Sequence, residues 1–123
     1  MNKLAIALAA GAALATAGMT GTAQAATGDQ IYKQRCAACH AVTPGKSGPM
    51  APTLAGVVGR KAGTGPFPGY SPALKAAGTV WTQAKLDTFL AAPTKVVPGT
   101  RMVIPVPNAD DRKALIGYLA TLK

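Results

Sequence analysis

The hexapeptide RCAACH, residues 35–40, holds both cysteines and the only histidine of this 123-residue chain. In a helical turn, Cys36, Cys39 and His40 stand at i, i+3 and i+4 and share one face. Three chemistries compete for them. A structural zinc site takes four Cys, His or carboxylate ligands, and here only two cysteines and one histidine are at hand, with no carboxylate placed near them. A thiol–disulfide redox pair normally sits on a βαβ scaffold, and it leaves His40 without a task. Covalent haem attachment uses all three residues: the two thiols add to the porphyrin vinyl groups, and the adjacent imidazole binds the iron from one side. Haem attachment is the expected chemistry, with a disulfide pair or a fortuitous CxxCH as the alternatives.

Haem iron has a second axial position, and its occupant separates electron transfer from small-molecule chemistry. No second histidine exists. Met50 lies only ten residues past His40, whereas Met102 is 62 residues away, enough chain to travel around a porphyrin and approach its other face. Pro98, Pro105 and Pro107 flank Met102 and restrict the loop that would present it. Met102 is the expected ligand; an ordinary core gap-filler is the alternative.

The elements that must position these residues read as helices separated by Pro- and Gly-rich loops, because period-2 alternation is almost absent. Thr27 caps a first helix that runs through Ile31 and Tyr32 towards the cysteines. A long loop from Ala41 to Tyr70 follows, of the kind that wraps a bound group. Ser71 as N-cap, Pro72 at the first helical position and Gly78 past the end mark a short second helix. Thr82 caps a third, with Leu86, Phe89 and Leu90 as its inward stripe and Pro93 as its stop. An irregular stretch leads to a last helix that begins at Asn108, carries Asp110 and Asp111 in its first turn, and presents Leu115, Tyr118, Leu119 and Leu122.

The N-terminus has the layout of a secretory signal: Lys3, an apolar run from Leu4 to Met19, then Ala23, Gln24 and Ala25 as a small-residue cleavage site. The division expected is therefore 1–25 signal peptide and 26–123 a single domain of 98 residues. No later apolar run is long enough to cross a bilayer, so no stable membrane insertion is expected after cleavage. Losing Lys3 takes the formal net charge from +9 to +8, with Asp29, Asp87, Asp110 and Asp111 as the only acids, and such a surface favours anionic partners. Nucleic acid is set aside, because the basic residues form no dense cluster and an exported protein rarely meets it. The core is thin: Tyr32, Phe67, Tyr70, Trp81, Phe89 and Tyr118 are its only aromatics, so a staple such as a large bound group is expected.

From Gly28 to the last helix the chain resembles the class I monohaem cytochromes c, in the segments GDQIYKQRCAACH, APTLAGVVGRKAG, GYSPALKAAGTVW, PGTRM and LIGYL. The resemblance implies an all-α fold around one haem c bound through Cys36 and Cys39, with His40 and Met102 as axial ligands. It also implies that the Pro52 carbonyl holds the His40 ring and that Arg60, Tyr70, Trp81 and Thr100 donate to the haem propionates. Gly28 and Tyr32 would meet Leu115 and Tyr118 where the terminal helices cross. Two positions depart from the family pattern: Phe89 stands where many members have a tyrosine near the methionine sulfur, and Leu74 where many have an asparagine near a buried water.

The function that follows is a monomeric, non-enzymatic one-electron carrier of the periplasm, serving redox proteins with acidic docking surfaces: a dehydrogenase, oxidase or reductase complex. A dedicated cytochrome subunit of one periplasmic dehydrogenase shares every motif. A peroxidase-like haem protein is the further alternative, and it requires the Met102 bond to be absent or labile. Arg35, Lys95 and Arg101 are expected to ring the exposed haem edge.

Overall fold

The structure, a computed structural model, describes residues 9–16, 18 and 24–123. Part of the expected signal segment, Lys3, Met19 and Ala23 included, lies outside them. Five helices are described: α1 Gly28–Arg35, α2 Pro72–Ala76, α3 Gln83–Ala91, α4 Pro93–Val96 and α5 Ala109–Thr121. The only β pairing among the described residues is an isolated antiparallel bridge between Lys61 and Val80. The fold is all-α.

Local chemistry starts α1, α2, α3 and α5 where the sequence indicates. At α1 the Gln30 side chain accepts from the Thr27 N–H at 2.9 Å, and the Thr27 hydroxyl donates to Asp29. Ser71 accepts from Leu74 N–H at 3.1 Å with Pro72 in the first helical position, and Thr82 accepts from Lys85 N–H at 3.2 Å. Asn108 accepts from Asp111 N–H at 2.9 Å. Each such cap contributes about 1 kcal/mol by satisfying a backbone donor that the helix leaves unpaired.

Leu86, Phe89 and Leu90 of α3 are buried together, as their spacing predicts. Pro93 does stop α3, but it also opens the short helix α4, where the sequence predicts irregular chain. A proline fits a first helical position because its missing N–H has no intrahelical partner there. On α5, Leu115 and Leu119 are buried, while Tyr118, and Leu122 just past the helix end, pack only partly buried against the core. Ile116, absent from the expected stripe, is buried as well, on the side of the helix turned towards α3.

The first and last described helices close the fold where α1 crosses α5. A Cβ built on Gly28 would collide with the Ala114 carbonyl oxygen and stand 2.6 Å from Tyr118 Cβ, so only glycine allows this approach. The Tyr32 and Tyr118 rings meet at the same crossing, 5.9 Å apart. Ile31, Leu115 and Val106 are the largest fully buried side chains, which brings both terminal helices and the segment after Met102 into one core.

Candidate functional site

The CxxCH motif follows α1 without continuing it. Tyr32 carbonyl accepts from both Cys36 N–H at 2.8 Å and Ala37 N–H at 3.0 Å, which shifts the register by one residue. A single α-turn then re-forms, His40 N–H donating to the Cys36 carbonyl at 2.9 Å. That bond keeps Cys36 and His40 one turn apart, as a helical reading of the motif requires.

Both cysteines are partly buried and no disulfide joins them. Burial pushes the Cys36 thiol up to about 11, an effect that Arg35 opposes. A redox-active cysteine has the opposite character, with a depressed pKa and a ready thiolate.

His40 is fixed through its ring and through its backbone. Its Nδ1 lies 2.7 Å from the Pro52 carbonyl oxygen, the contact implied by the family resemblance. A carbonyl can only accept, so Nδ1 carries the proton and the neutral ring keeps the Nε2 lone pair free for a metal. Burial lowers the His40 pKa, outweighing the Pro52 contact that raises it, and favours this neutral form. The Tyr32 hydroxyl donates to the His40 carbonyl at 2.8 Å. Behind the motif, a Cβ on Gly48 would collide with the Cys39 carbonyl and lie 2.8 Å from Ala41 N, so the loop packs here backbone to backbone. Neither the Tyr32 bond nor the Gly48 contact was anticipated, since nothing local to either residue marks it.

The two candidate methionines differ in setting. Met50 is 73% exposed. Met102 packs partly buried against the core, and its N–H donates to the Thr100 hydroxyl oxygen at 3.2 Å. Among the expected propionate donors, Arg60 bonds the Thr53 carbonyl at 2.9 Å and the Ala55 carbonyl at 3.3 Å, and Tyr70 donates to the Thr64 carbonyl at 2.6 Å. The Tyr70 proton is thus engaged with backbone. Arg60 is close enough for its charge to act on both the His40 and the Tyr70 rings, and its carbonyl accepts from Trp81 N–H at 2.9 Å. Trp81 is buried against Phe89, ring centroids 4.8 Å apart. A cavity of about 680 Å³ is lined by Trp81, Ala73, Thr88 and Val97 among others, but by none of Cys36, Cys39, His40 and Met102.

A family model described as Cytochrome c matches residues 25–123. The chain belongs to the cytochrome c family. The cytochrome is 38% identical over 122 residues to cytochrome c2 of Rhodomicrobium vannielii, spanning 98% of this chain and 97% of that one. It is 49% identical over 90 residues to cytochrome c2 iso-2 of Magnetospirillum molischianum, spanning 72% and 91%. Among solved structures it is similar to cytochrome cH from Methylobacterium extorquens, with a TM-score of 0.69, 44% identity, and 76% and 94% of the two chains covered.

This cytochrome is therefore a class I, c2-like electron carrier and not an enzyme, and it carries covalently bound haem c through Cys36 and Cys39. Its residues fit that group. Cys36 stands one helical turn from His40 and Cys39 directly beside it in sequence, and the neutral imidazole, its Nδ1 held by Pro52, keeps Nε2 free. No helix among the described residues is long and apolar enough to cross a membrane.

Proposed function

We propose that this cytochrome is a monomeric one-electron shuttle of the periplasm, exported with cleavage after Ala25, in which His40 and Met102 ligate the haem iron. Haem c supplies the ferric–ferrous couple. The protein's part is to hold two ligands in place through the change of charge. Pro52 fixes the His40 tautomer and ring plane, and Thr100 steadies the Met102 backbone. Arg60, Trp81 and Thr100 serve as donors to the propionates, which are anions that need partners where they are buried, while the one Tyr70 proton is held by the Thr64 carbonyl. Phe89 and Leu74, apolar where many relatives of the class carry hydrogen-bonding groups, leave the methionine side dry.

The observation that carries the reading is the contrast between the two methionines: one 73% exposed, the other packed on the core beside a side-chain cap. Replacing Met102 by Ala is expected to abolish the sulfur-to-ferric charge-transfer band, open the iron to added ligands and lower the reduction potential, since thioether ligation favours the ferrous state. Met50→Ala is expected to leave the band and the potential unchanged. A spectrum in which Met50→Ala loses the band and Met102→Ala keeps it would overturn the assignment.

Partners are redox proteins with acidic surfaces, a dehydrogenase, oxidase or reductase complex. The exposed side chains of Arg35, Lys95 and Arg101, with Val103 and Ile104 62% and 53% exposed next to Met102, support docking at this edge.

A further inference from the structure

Arg112 makes contacts that the electron-carrier reading does not use. It sits near the start of α5, where the helix dipole favours acids and disfavours a cation, so its placement is not explained by the helix itself. Its side chain is 13% exposed and folds away from solvent. Nε donates to Asp87 of α3 at 2.8 Å, and one terminal nitrogen donates to the carbonyls of Val106 at 3.0 Å and Pro107 at 2.8 Å. Three elements converge on one guanidinium.

Those two carbonyls close the segment that begins at Met102. Between Met102 and Val106, the residues Val103, Ile104 and Pro105 are exposed, and no N–H of this stretch is hydrogen-bonded to protein among the described residues. Upstream, the segment is held by the Thr100 hydroxyl at the Met102 N–H and by Arg101, which donates to the Gly69 carbonyl at 2.6 Å. Downstream, its holds are Val106 N–H on the Leu90 carbonyl at 2.8 Å, the buried Val106 side chain, and Arg112. Proline at 105 and 107 removes the N–H groups that could have served instead.

We propose that Arg112 is a positioning residue for the methionine ligand: oriented by Asp87, it pins the Val106 and Pro107 carbonyls and so holds the segment that presents Met102. The inference rests on Met102 being the ligand. Loss of the latch leaves the thioether chemically intact but costs the chain one of its downstream holds, the one that spans both carbonyls. A competing ligand then displaces it more easily.

The test is an imidazole titration of the ferric holoprotein, followed at the sulfur-to-ferric band, with thermal unfolding measured in parallel. Arg112→Gln removes the charged fork and is expected to raise imidazole affinity about tenfold, the scale of one lost charge-assisted hydrogen bond. Asp87→Asn changes a half-exposed side chain and leaves both carbonyl contacts possible. It is expected to act in the same direction but less, to add nothing in the Arg112→Gln background, and to carry the test alone if Arg112→Gln does not accumulate. Arg112→Lys keeps the charge without the fork and is expected to rescue only in part. Ile116→Val, buried on the same helix, is the control: it should lower thermal stability without changing imidazole affinity. Equal gains in affinity for Ile116→Val and Arg112→Gln at matched stability would overturn the latch, as would wild-type affinity in Arg112→Gln or, should that variant not accumulate, in Asp87→Asn. Retention of the band by Met102→Ala would overturn the ligand reading itself, a result distinct from either.

Discussion

Tyr32 and Pro52 hold His40 by opposite chemistry, one donating to its backbone carbonyl and the other accepting from its ring. Burial raises the Tyr32 pKa above its ordinary value of about 10, so the hydroxyl stays a donor through the neutral range. Tyr32→Phe keeps the ring contact with Tyr118 and deletes this bond alone. It is expected to destabilise the holoprotein by about 1 kcal/mol in urea unfolding. The tyrosine's contribution also has a pH signature. Above about pH 10 the unfolded chain loses its phenolic proton before the folded one does. Stability of the wild type should therefore fall faster there than that of Tyr32→Phe. Identical alkaline profiles, with no loss at neutral pH, would show that the bond contributes nothing.

At the scale of elements, the crossing of α1 and α5 depends on an absent side chain. The Cβ of Gly28→Ala has nowhere to go except into the backbone of Ala114 and Cβ of Tyr118, and neither can yield without separating the helices. Overpacking of this kind is expected to cost about 1–3 kcal/mol, read as a lower urea midpoint. Gly117, exposed in the interior of α5, has open space where its Cβ would stand. Gly117→Ala should stabilise by up to about 1 kcal/mol through helix propensity alone. The opposite signs make the pair informative. If both substitutions stabilise, the crossing is looser than the contact distances imply.

For the whole molecule, charge is the property that reaches furthest. Asp87 and Asp110 line a cleft between α3 and α5 in which Arg112 and Lys113 balance them, while Arg35, Lys95 and Arg101 stand exposed, without an acid beside them in sequence, on the segments around the cysteines and Met102. Such an asymmetry orients encounter with an acidic partner. Electron transfer to such a partner is expected to slow as ionic strength rises. Reversal to Glu at Arg35 or Arg101 should slow it more than reversal at Lys75 or Lys123, which are also exposed. Stopped-flow rates at two salt concentrations would separate the cases. Equal slowing at all four positions would mean that net charge alone governs encounter and that docking uses another face.

Much of this was open to the sequence because it is local. The CxxCH spacing, the caps at Ser71, Thr82 and Asn108, and the stripe of Leu86, Phe89 and Leu90 each depend on residues within a turn or two of one another. The family pattern extended that reach to the Pro52 contact and the Gly28 crossing, which no short-range rule supplies. What only the tertiary structure decided lies in contacts between distant segments. Whether Met50 or Met102 is packed on the core, why Ile116 is buried, and how Pro93 opens a helix after closing one all depend on neighbours that periodicity does not register. Arg112 is the plainest instance: in sequence it is one cation among thirteen, and its partners Asp87 and Val106 lie 25 and 6 residues away. A hydrogen bond needs atoms within about 3 Å, and the chain brings those atoms together only after its helices have packed.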